Sequence, residues 1–174
     1  VMENGADSEY ADWFYVEFDA EGDTESWVAW DGPSGWLPKF RQRSNGDLVE
    51  PVKRHLFAVT SRWMDPDGDG DPSDGVDGWR LDVPLDVGLP FWEDWRDHVK
   101  GINPDAVIIA EIWSDREADP VIRGEHFDTH MHYPFAHAVT DWLAVEPGMT
   151  GSELRDRLDG AFDDLAQTEL IHQN

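Results

Sequence analysis

Two acidic residues, Asp82 and Glu111, each lie near the end of a short apolar run and are the strongest candidates for chemistry. Both runs, residues 76–83 and 106–113, have the length and composition of buried strands. Neighbouring parallel strands lie about 4.8 Å apart, so carboxyl groups at their ends can approach the ~5–5.5 Å separation of retaining glycosidases. The pattern predicts a paired-carboxylate site for cleaving glycosidic bonds.

Arg80 stands two residues before Asp82 and therefore shares its face of the predicted strand. A guanidinium beside a carboxylate keeps that carboxylate ionised, which is the form that a nucleophile needs. A salt bridge that only stabilises the end of a strand would give the same sequence pattern. Both interpretations are compatible with these two residues.

The elements around the two acids predict an α/β fold. After the first 48 residues we expect helix 48–64, strand 76–83, helix 90–100, strand 106–113, strand 127–133, helix 134–142, helix 152–167 and a strand beginning at residue 170. Strands that alternate with helices favour a parallel sheet. Barrels of this class place their active sites at the C-terminal ends of the strands, where both acids stand.

The first 48 residues differ from the rest, because their aromatic side chains stand among Gly, Asp, Ser and Pro without regular periodicity. We expect a long aromatic-rich loop region over 1–48 and βα units over 49–174. A complete (β/α)8 barrel needs about 250 residues, and only three complete strands are predicted. The chain is therefore expected to form a small open α/β sheet or a part of a barrel.

The chain carries a formal net charge of −25, from 38 acidic and 13 basic residues. The acids are interleaved with apolar residues and ten Trp, which argues against a disordered acidic tail. We interpret the charge as that of a halophilic protein, because self-repulsion is screened at molar salt, where the Debye length is about 3 Å. A mesophilic acidic enzyme is the alternative. Nucleic acid and membranes are not expected as partners.

Other sequence features bear on location and chemistry. No run of 18 apolar residues is present, so no membrane span is expected. The first five residues lack the basic and apolar regions of a signal peptide, which favours a cytoplasmic location, although Val1 is not expected to be the native start. The absence of Cys excludes disulfides and thiol chemistry. The sequence leaves the oligomeric state open.

Several segments, in order along the chain, resemble the α-amylase family (glycoside hydrolase family 13), and more narrowly its neopullulanase/cyclomaltodextrinase branch. Residues 78–84 read GWRLDVP, residues 110–113 read AEIW, and residues 127–135 read FDTHMHYPF. Residues 1–14 resemble the stretch after the family's third strand, and residues 37–40, which read LPKF, also fit. The joint occurrence of these segments is more specific than any one of them.

This resemblance implies a (β/α)8 TIM barrel, a retaining mechanism and α-glucan substrates. Asp82 would be the nucleophile, and Glu111 would be the acid that protonates the leaving oxygen and then the base that deprotonates water. The family's strand-three motif would precede Val1, and the strand-seven motif with the third acid would follow Asn174. We therefore expect a catalytic-domain fragment that covers about strands four to six, their flanking helices and the preceding loop, and is inactive alone.

The residues expected to bind substrate are Arg80, Trp113, His132, Tyr133 and Asp86. Trp113 follows Glu111 by two residues, so it shares the predicted strand face and could stack on a sugar ring; a core or rim aromatic is the alternative. The branch usually has Asn at the position of His132, which leaves the role of His132 open. Leu85 and Asp86 also depart from the branch pattern, so acceptor specificity stays open.

Residues 65–70 read DPDGDG and copy the first half of a calcium-binding loop. The twelfth position, where an EF-hand has a bidentate Glu, is Val76, so no EF-hand is expected. A different oxygen cage for calcium would use Asp65, Asp67 and Asp69, completed by Asp71, Asp74 or Asp77. A solvated Asp/Gly turn is the alternative, and the paired-carboxylate chemistry itself requires no cofactor.

Three functions are compatible with these patterns. The first is a retaining glycosidase that acts on maltooligosaccharides, cyclodextrins, or starch- and pullulan-type glucans. The second is a non-catalytic acidic module that binds calcium or glucan, and the third is an α-glucan transglycosylase on the same barrel. The residues do not decide between α-1,4 and α-1,6 linkages.

We expect the thermal stability of the purified chain to rise with salt, because counter-ions screen the repulsion among its 38 acidic side chains. Raising KCl from about 0.1 M to about 2 M should raise the unfolding midpoint, followed by circular dichroism, by roughly 5–10 °C. Sucrose is the control, because it favours the compact state without screening charge. A midpoint that is unchanged or lower in KCl would contradict the halophilic interpretation.

Overall fold

The computed structural model describes residues 1, 3–33, 35–118, 120–122, 125–144 and 148–166. The chain divides into two compact units. The first comprises Val1–Gly75 and Leu85–Pro104, and the second comprises Val76–Pro84 and Asp105–Asn174. Among the described helices, none has both the length and the apolar character needed to cross a bilayer.

The regular elements of the chain are, in order, β1 (Val16–Phe18), β2 (Thr24–Trp27), α1 (Glu50–Met64), β3 (Gly78–Leu81), α2 (Leu89–Ile102), β4 (Val107–Ala110), α3 (Asp115–Ala118), β5 (Thr129–His130), α4 (Tyr133–Ala144) and α5 (Gly151–Ala166). The predicted α/β class is confirmed. The helices predicted at 48–64, 90–100, 134–142 and 152–167 all form, with bounds that differ by two residues or fewer. The strand predicted to begin at residue 170 lies outside the described residues.

The aromatic-rich first segment contains more regular structure than its sequence predicts. β1 and β2 pair antiparallel, and short 3₁₀ helices form at Gly5–Asp7 and Ala11–Trp13. The pairing shifts register between Glu17 and Phe18, so its side chains never give the long alternation by which a strand is recognised. The division at residue 48 between a loop region that follows a barrel strand and the βα units of the barrel stays a prediction.

Helices α1 and α2 pack together in the first unit. The apolar side of α2 buries Phe91, Trp92, Trp95 and Val99 at helical spacing. Across the two helices, the Trp95 indole N–H donates a hydrogen bond of 2.9 Å to the Thr60 hydroxyl. These contacts stabilise α2, the helix that lies between β3 and β4 in the sequence.

The second unit contains a parallel sheet in the order β3-β4-β5. Gly78 lies opposite Val107, and a side-chain carbon at residue 78 would lie 2.2 Å from the Val107 carbonyl oxygen. Only glycine therefore permits this close pairing of β3 with β4. The strands are shorter than the ranges 76–83, 106–113 and 127–133 predicted for them.

The central strand β4 has one buried face and one more exposed face. Its alternate residues Ile108 and Ala110, with Ile112 beyond them, are buried, whereas Val107 on the opposite face is 46% exposed. The ladder between β3 and β4 ends where the Glu111 N–H donates to the Leu81 carbonyl, at 2.9 Å. The two predicted catalytic acids therefore stand directly after the last paired residues of adjacent parallel strands.

Candidate active site

Arg80 joins the two acids through a single guanidinium group. Its Nη1 contacts the Asp82 Oδ1 atom, and its Nη2 lies 2.8 Å from the Glu111 Oε1 atom. Asp82 follows β3 and Glu111 follows β4, in the register that pairs Leu81 with Ala110. The structure thus brings together the three residues that strand-end spacing selects from the sequence, while their catalytic roles stay predictions.

The charge of Arg80 is stabilised by its surroundings. The hydrogen bond to Asp82, together with the negative charges of Glu111 and Asp82, raises the pKa of Arg80 above its already high value, against the opposing effect of lost hydration. The Arg80 Nε atom also lies 3.5 Å from the Met131 sulfur. Met131 is a neighbour of the site that the sequence patterns do not reveal, because methionine carries no charge pattern. A permanent cation between the acids offsets their mutual repulsion.

The two acids have different environments. The Glu111 side chain is 12% exposed and the Asp82 side chain is 68% exposed. Glu111 accepts hydrogen bonds at Oε1 from the Tyr133 hydroxyl, at 3.0 Å, and at Oε2 from the Val83 N–H, at 3.2 Å. Glu111 is therefore held by its neighbours, whereas Asp82 is open to an approaching molecule.

Tyr133 is the first residue of α4 and directs its hydroxyl at Glu111. Loss of hydration, followed by the hydrogen bond to Glu111 and the charge of Glu111, raises the pKa of Tyr133. A side-chain hydrogen bond with Trp113 and the charge of Arg80 act in the opposite direction. The phenol therefore stays protonated and remains a hydrogen-bond donor to the carboxylate.

Trp113 lies near the site, although the strand expected to place it there ends before it. β4 ends at Ala110, so the predicted sharing of a strand face with Glu111 does not extend to Trp113. Its side chain is 66% exposed and lies close enough to the Tyr133 hydroxyl to lower the pKa of that phenol. An exposed indole beside the acids remains available for stacking on a sugar ring.

Val83 has an unusual backbone conformation beside Asp82. Its φ angle is +38°, and among the described residues it is the one non-glycine residue with a positive φ. Such a conformation costs about 1–3 kcal/mol, and a β-branched side chain makes it rarer still. Sequence patterns do not reveal this feature, since valine after an apolar strand predicts extended backbone.

Comparison with known proteins places this chain in a family. No family model matches the chain. The chain is 37% identical over 159 residues to a cyclomaltodextrinase from Geobacillus thermopakistaniensis, a match that covers 91% of the chain and 24% of that protein. It is 35% identical over 147 residues to neopullulanase 2 from Thermoactinomyces vulgaris, covering 83% of the chain and 23% of that protein.

A solved structure gives the same result. The cyclic α-maltosyl-(1→6)-maltose hydrolase from Arthrobacter globiformis, in complex with maltose, superposes with a TM-score of 0.70 at 30% identity, covering 94% of this chain and 34% of that one. The chain belongs to the α-amylase family. The resemblance seen in the sequence segments is thereby confirmed. This α-amylase-family chain spans about a quarter of the length of the curated relatives named above.

Two other predicted substrate-binding residues have known surroundings in this α-amylase-family chain. The His132 ring lies 6.0 Å from the His130 ring and is nearly parallel to the Phe135 ring at 6.4 Å. Asp86 belongs to the first compact unit, where its carbonyl oxygen accepts a hydrogen bond of 2.8 Å from the Gln42 amide. The roles of His132 and Asp86 in substrate binding stay predictions.

In the predicted calcium loop, two of the three predicted ligands approach Asp74, one of the residues expected to complete the cage. Carboxylate oxygens of Asp65, Asp67 and Asp74 lie within 4.8 Å of one another, and the Asp69 carboxylate accepts the Asp71 N–H at 2.8 Å. Loss of hydration, and then the charge of Asp67, raises the pKa of Asp74. Exposed acids gather in this way without a metal as well, so calcium binding stays a prediction.

We expect Tyr133 to ionise above the ordinary tyrosine value of about 10, because its pKa is raised in the folded chain. The unfolded chain then loses this proton first, so the contribution of Tyr133 to stability is present below about pH 10 and is lost as the pH rises through the raised pKa. Ultraviolet titration of tyrosinate at molar salt measures this ionisation.

The Tyr133→Phe variant should remove a tyrosinate component that titrates above about pH 10. The Tyr10→Phe variant is the control and should retain that component. If the component that Tyr133→Phe removes titrates at or below about pH 10, the contact between Tyr133 and Glu111 is wrong.

Proposed function

We propose that the chain forms about strands four to six of a (β/α)8 barrel and supplies two of the three acids of a retaining α-glucan hydrolase. One observation carries this proposal: a single guanidinium contacts two carboxylates that follow adjacent parallel strands. Two acids that share one guanidinium suit the retaining mechanism, which needs its carboxyl groups close together. In the first step of that mechanism no water has to fit between the nucleophile and the sugar.

In the first step, a carboxylate oxygen of Asp82 attacks the anomeric carbon and the glycosidic C–O bond breaks. Protonated Glu111 delivers its proton to the leaving oxygen, so the released sugar departs as a neutral alcohol. Asp82 suits the role of nucleophile because it is exposed and because its carboxylate contacts the Arg80 guanidinium. The product of this step is a glycosyl ester on Asp82.

In the second step, Glu111 acts as the base. It takes a proton from water, whose oxygen attacks the anomeric carbon and breaks the bond to Asp82. Two inversions at that carbon give net retention. Arg80 serves both steps, because its positive charge offsets whichever carboxylate is ionised at that moment.

The substrate class follows from the relatives. They include a cyclomaltodextrinase, a neopullulanase and, at 34% identity, a maltogenic α-amylase from Bacillus acidopullulyticus. We infer for this chain maltooligosaccharides, cyclodextrins, or starch- and pullulan-type glucans. The exposed indole of Trp113 beside the acids suits such substrates, because glucose rings present apolar faces that stack on aromatic side chains.

A partial barrel accounts for the exposed surface of the sheet. Within the described residues β3 and β5 are edge strands, and Val107 of β4 is half exposed. Parallel sheets are normally covered on both faces, and unpaired edges are liabilities. We infer that further strands and the third acid come from sequence outside this chain, and that the chain alone does not hydrolyse glucans.

A transglycosylase on the same barrel is the second candidate. It would share the glycosyl ester on Asp82 and differ in using a sugar hydroxyl instead of water in the second step. The exposed face of Trp113 suits this candidate as well, since it could hold an acceptor sugar beside the ester. Product analysis separates the two, because transfer gives oligosaccharides longer than the substrate.

The test uses a polypeptide in which this sequence is continued through the complete barrel. It should hydrolyse maltotriose, cyclodextrin or pullulan, and Asp82→Asn should lower kcat by about 10³-fold or more while leaving the thermal midpoint unchanged. Asp97→Asn, which removes the same charge from an exposed position on α2, is the control and should retain activity. The 174-residue chain alone should be inactive.

Two results would contradict the proposal. Retained hydrolysis by Asp82→Asn would exclude Asp82 as the nucleophile. Turnover by the isolated chain comparable to that of the complete barrel would show that the third acid is not needed from elsewhere.

A further inference from the structure

We propose that the backbone N–H of Val83 is a positioning group for the acid/base Glu111, an inference that rests on the proposed function. Val83 adopts φ +38° and donates its N–H to the Glu111 Oε2 atom at 3.2 Å. The unusual backbone and the hydrogen bond occur at one residue, which directly follows the proposed nucleophile.

The conformation of Val83 is unfavourable on two counts. A β-branched residue rarely adopts a positive φ, and a following proline, here the buried Pro84, restricts the preceding residue to extended backbone. The regular ladder ends with the Glu111 N–H on the Leu81 carbonyl. Beyond that point the chain turns the next available N–H toward the Glu111 carboxylate, which a chain that stayed extended would not do.

The hydrogen bonds divide the two oxygens of Glu111 into distinct roles. Oε1 accepts from Arg80 and from Tyr133, which together occupy both of its lone pairs. Among the described residues, Oε2 accepts a hydrogen bond from Val83 alone and so keeps one lone pair. Oε2 is therefore the oxygen that carries the transferable proton, and the Val83 amide fixes where that proton points.

A positioning role and a merely structural role differ in their dependence on the leaving group. A misplaced acid slows departure of a sugar, which needs a proton, much more than departure of fluoride, which needs little help. A loop that is only loosened or misfolded slows both reactions alike. The ratio of kcat/KM for maltotriose to that for α-maltosyl fluoride therefore reports on the acid.

The experiment replaces the Val83 amide by an ester, Val83→α-hydroxyvaline, in the complete-barrel polypeptide, which deletes the N–H and keeps the side chain. We expect kcat/KM for maltotriose to fall about tenfold or more through kcat, and that for α-maltosyl fluoride to change by less than about threefold. The same ester at Val28 in the first compact unit, which deletes an N–H that donates to the Tyr15 carbonyl, is the control and should keep the wild-type ratio. Val83→Ala keeps the N–H and should keep the ratio of the wild-type enzyme.

Each outcome is decisive. An ester variant with the wild-type ratio overturns the positioning role, whether its overall activity is retained or lost equally on both substrates. A Val83→Ala ratio as low as that of the ester would assign the effect to the side chain and overturn it too. A wild-type complete barrel that cleaves neither substrate would refute the proposed function itself, which is a different failure.

Discussion

The site depends on one interaction, the contact of a single arginine with two carboxylates. Asp82 and Glu111 would repel each other if they stood alone at neighbouring strand ends. Arg80 contacts both with separate nitrogens of one planar group, so their separation is set by the width of the guanidinium. A lysine would contact both acids through one nitrogen, as Lys53 does with Asp47 and Asp94, and would not set their separation in this way.

The sheet places these three residues through its register. β3 pairs with β4 so that Arg80 lies opposite Ile109 and Leu81 lies opposite Ala110. Because side chains alternate between faces, a slip of one residue between β3 and β4 would turn Arg80 and Asp82 together away from Glu111. At the other end of β3 this register brings residue 78 so close to Val107 that no side chain fits there, and residue 78 is glycine.

The two acids then acquire different properties from their surroundings. Asp82 contacts Arg80 and is largely exposed, whereas Glu111 accepts hydrogen bonds from Arg80, from Tyr133 of α4 and from the Val83 backbone. This difference fits an attacking group at Asp82 and a proton carrier at Glu111 that is held in place.

The sequence predicts the proximity of Arg80, Asp82 and Glu111, because residues two apart on a strand share a face and the ends of neighbouring parallel strands lie side by side. It does not predict the Val83 donor, since a backbone N–H has no residue-type signature. It also does not predict which carboxylates of the Asp-rich loop approach one another, since the folding of that loop decides this.

The central claim is that Asp82 forms a covalent glycosyl ester, while Glu111 donates a proton in the first step and accepts one in the second. The most direct measurement is mass spectrometry of the complete barrel after reaction with a 5-fluoro-α-glucosyl fluoride, followed by peptide mapping. The fluorine at carbon 5 slows the second step more than the first when the leaving group is good, so the ester accumulates. The account predicts one added fluoroglucosyl group, located on Asp82. A label on another residue, or an unlabelled enzyme that hydrolyses its substrate with inversion at the anomeric carbon, would contradict it.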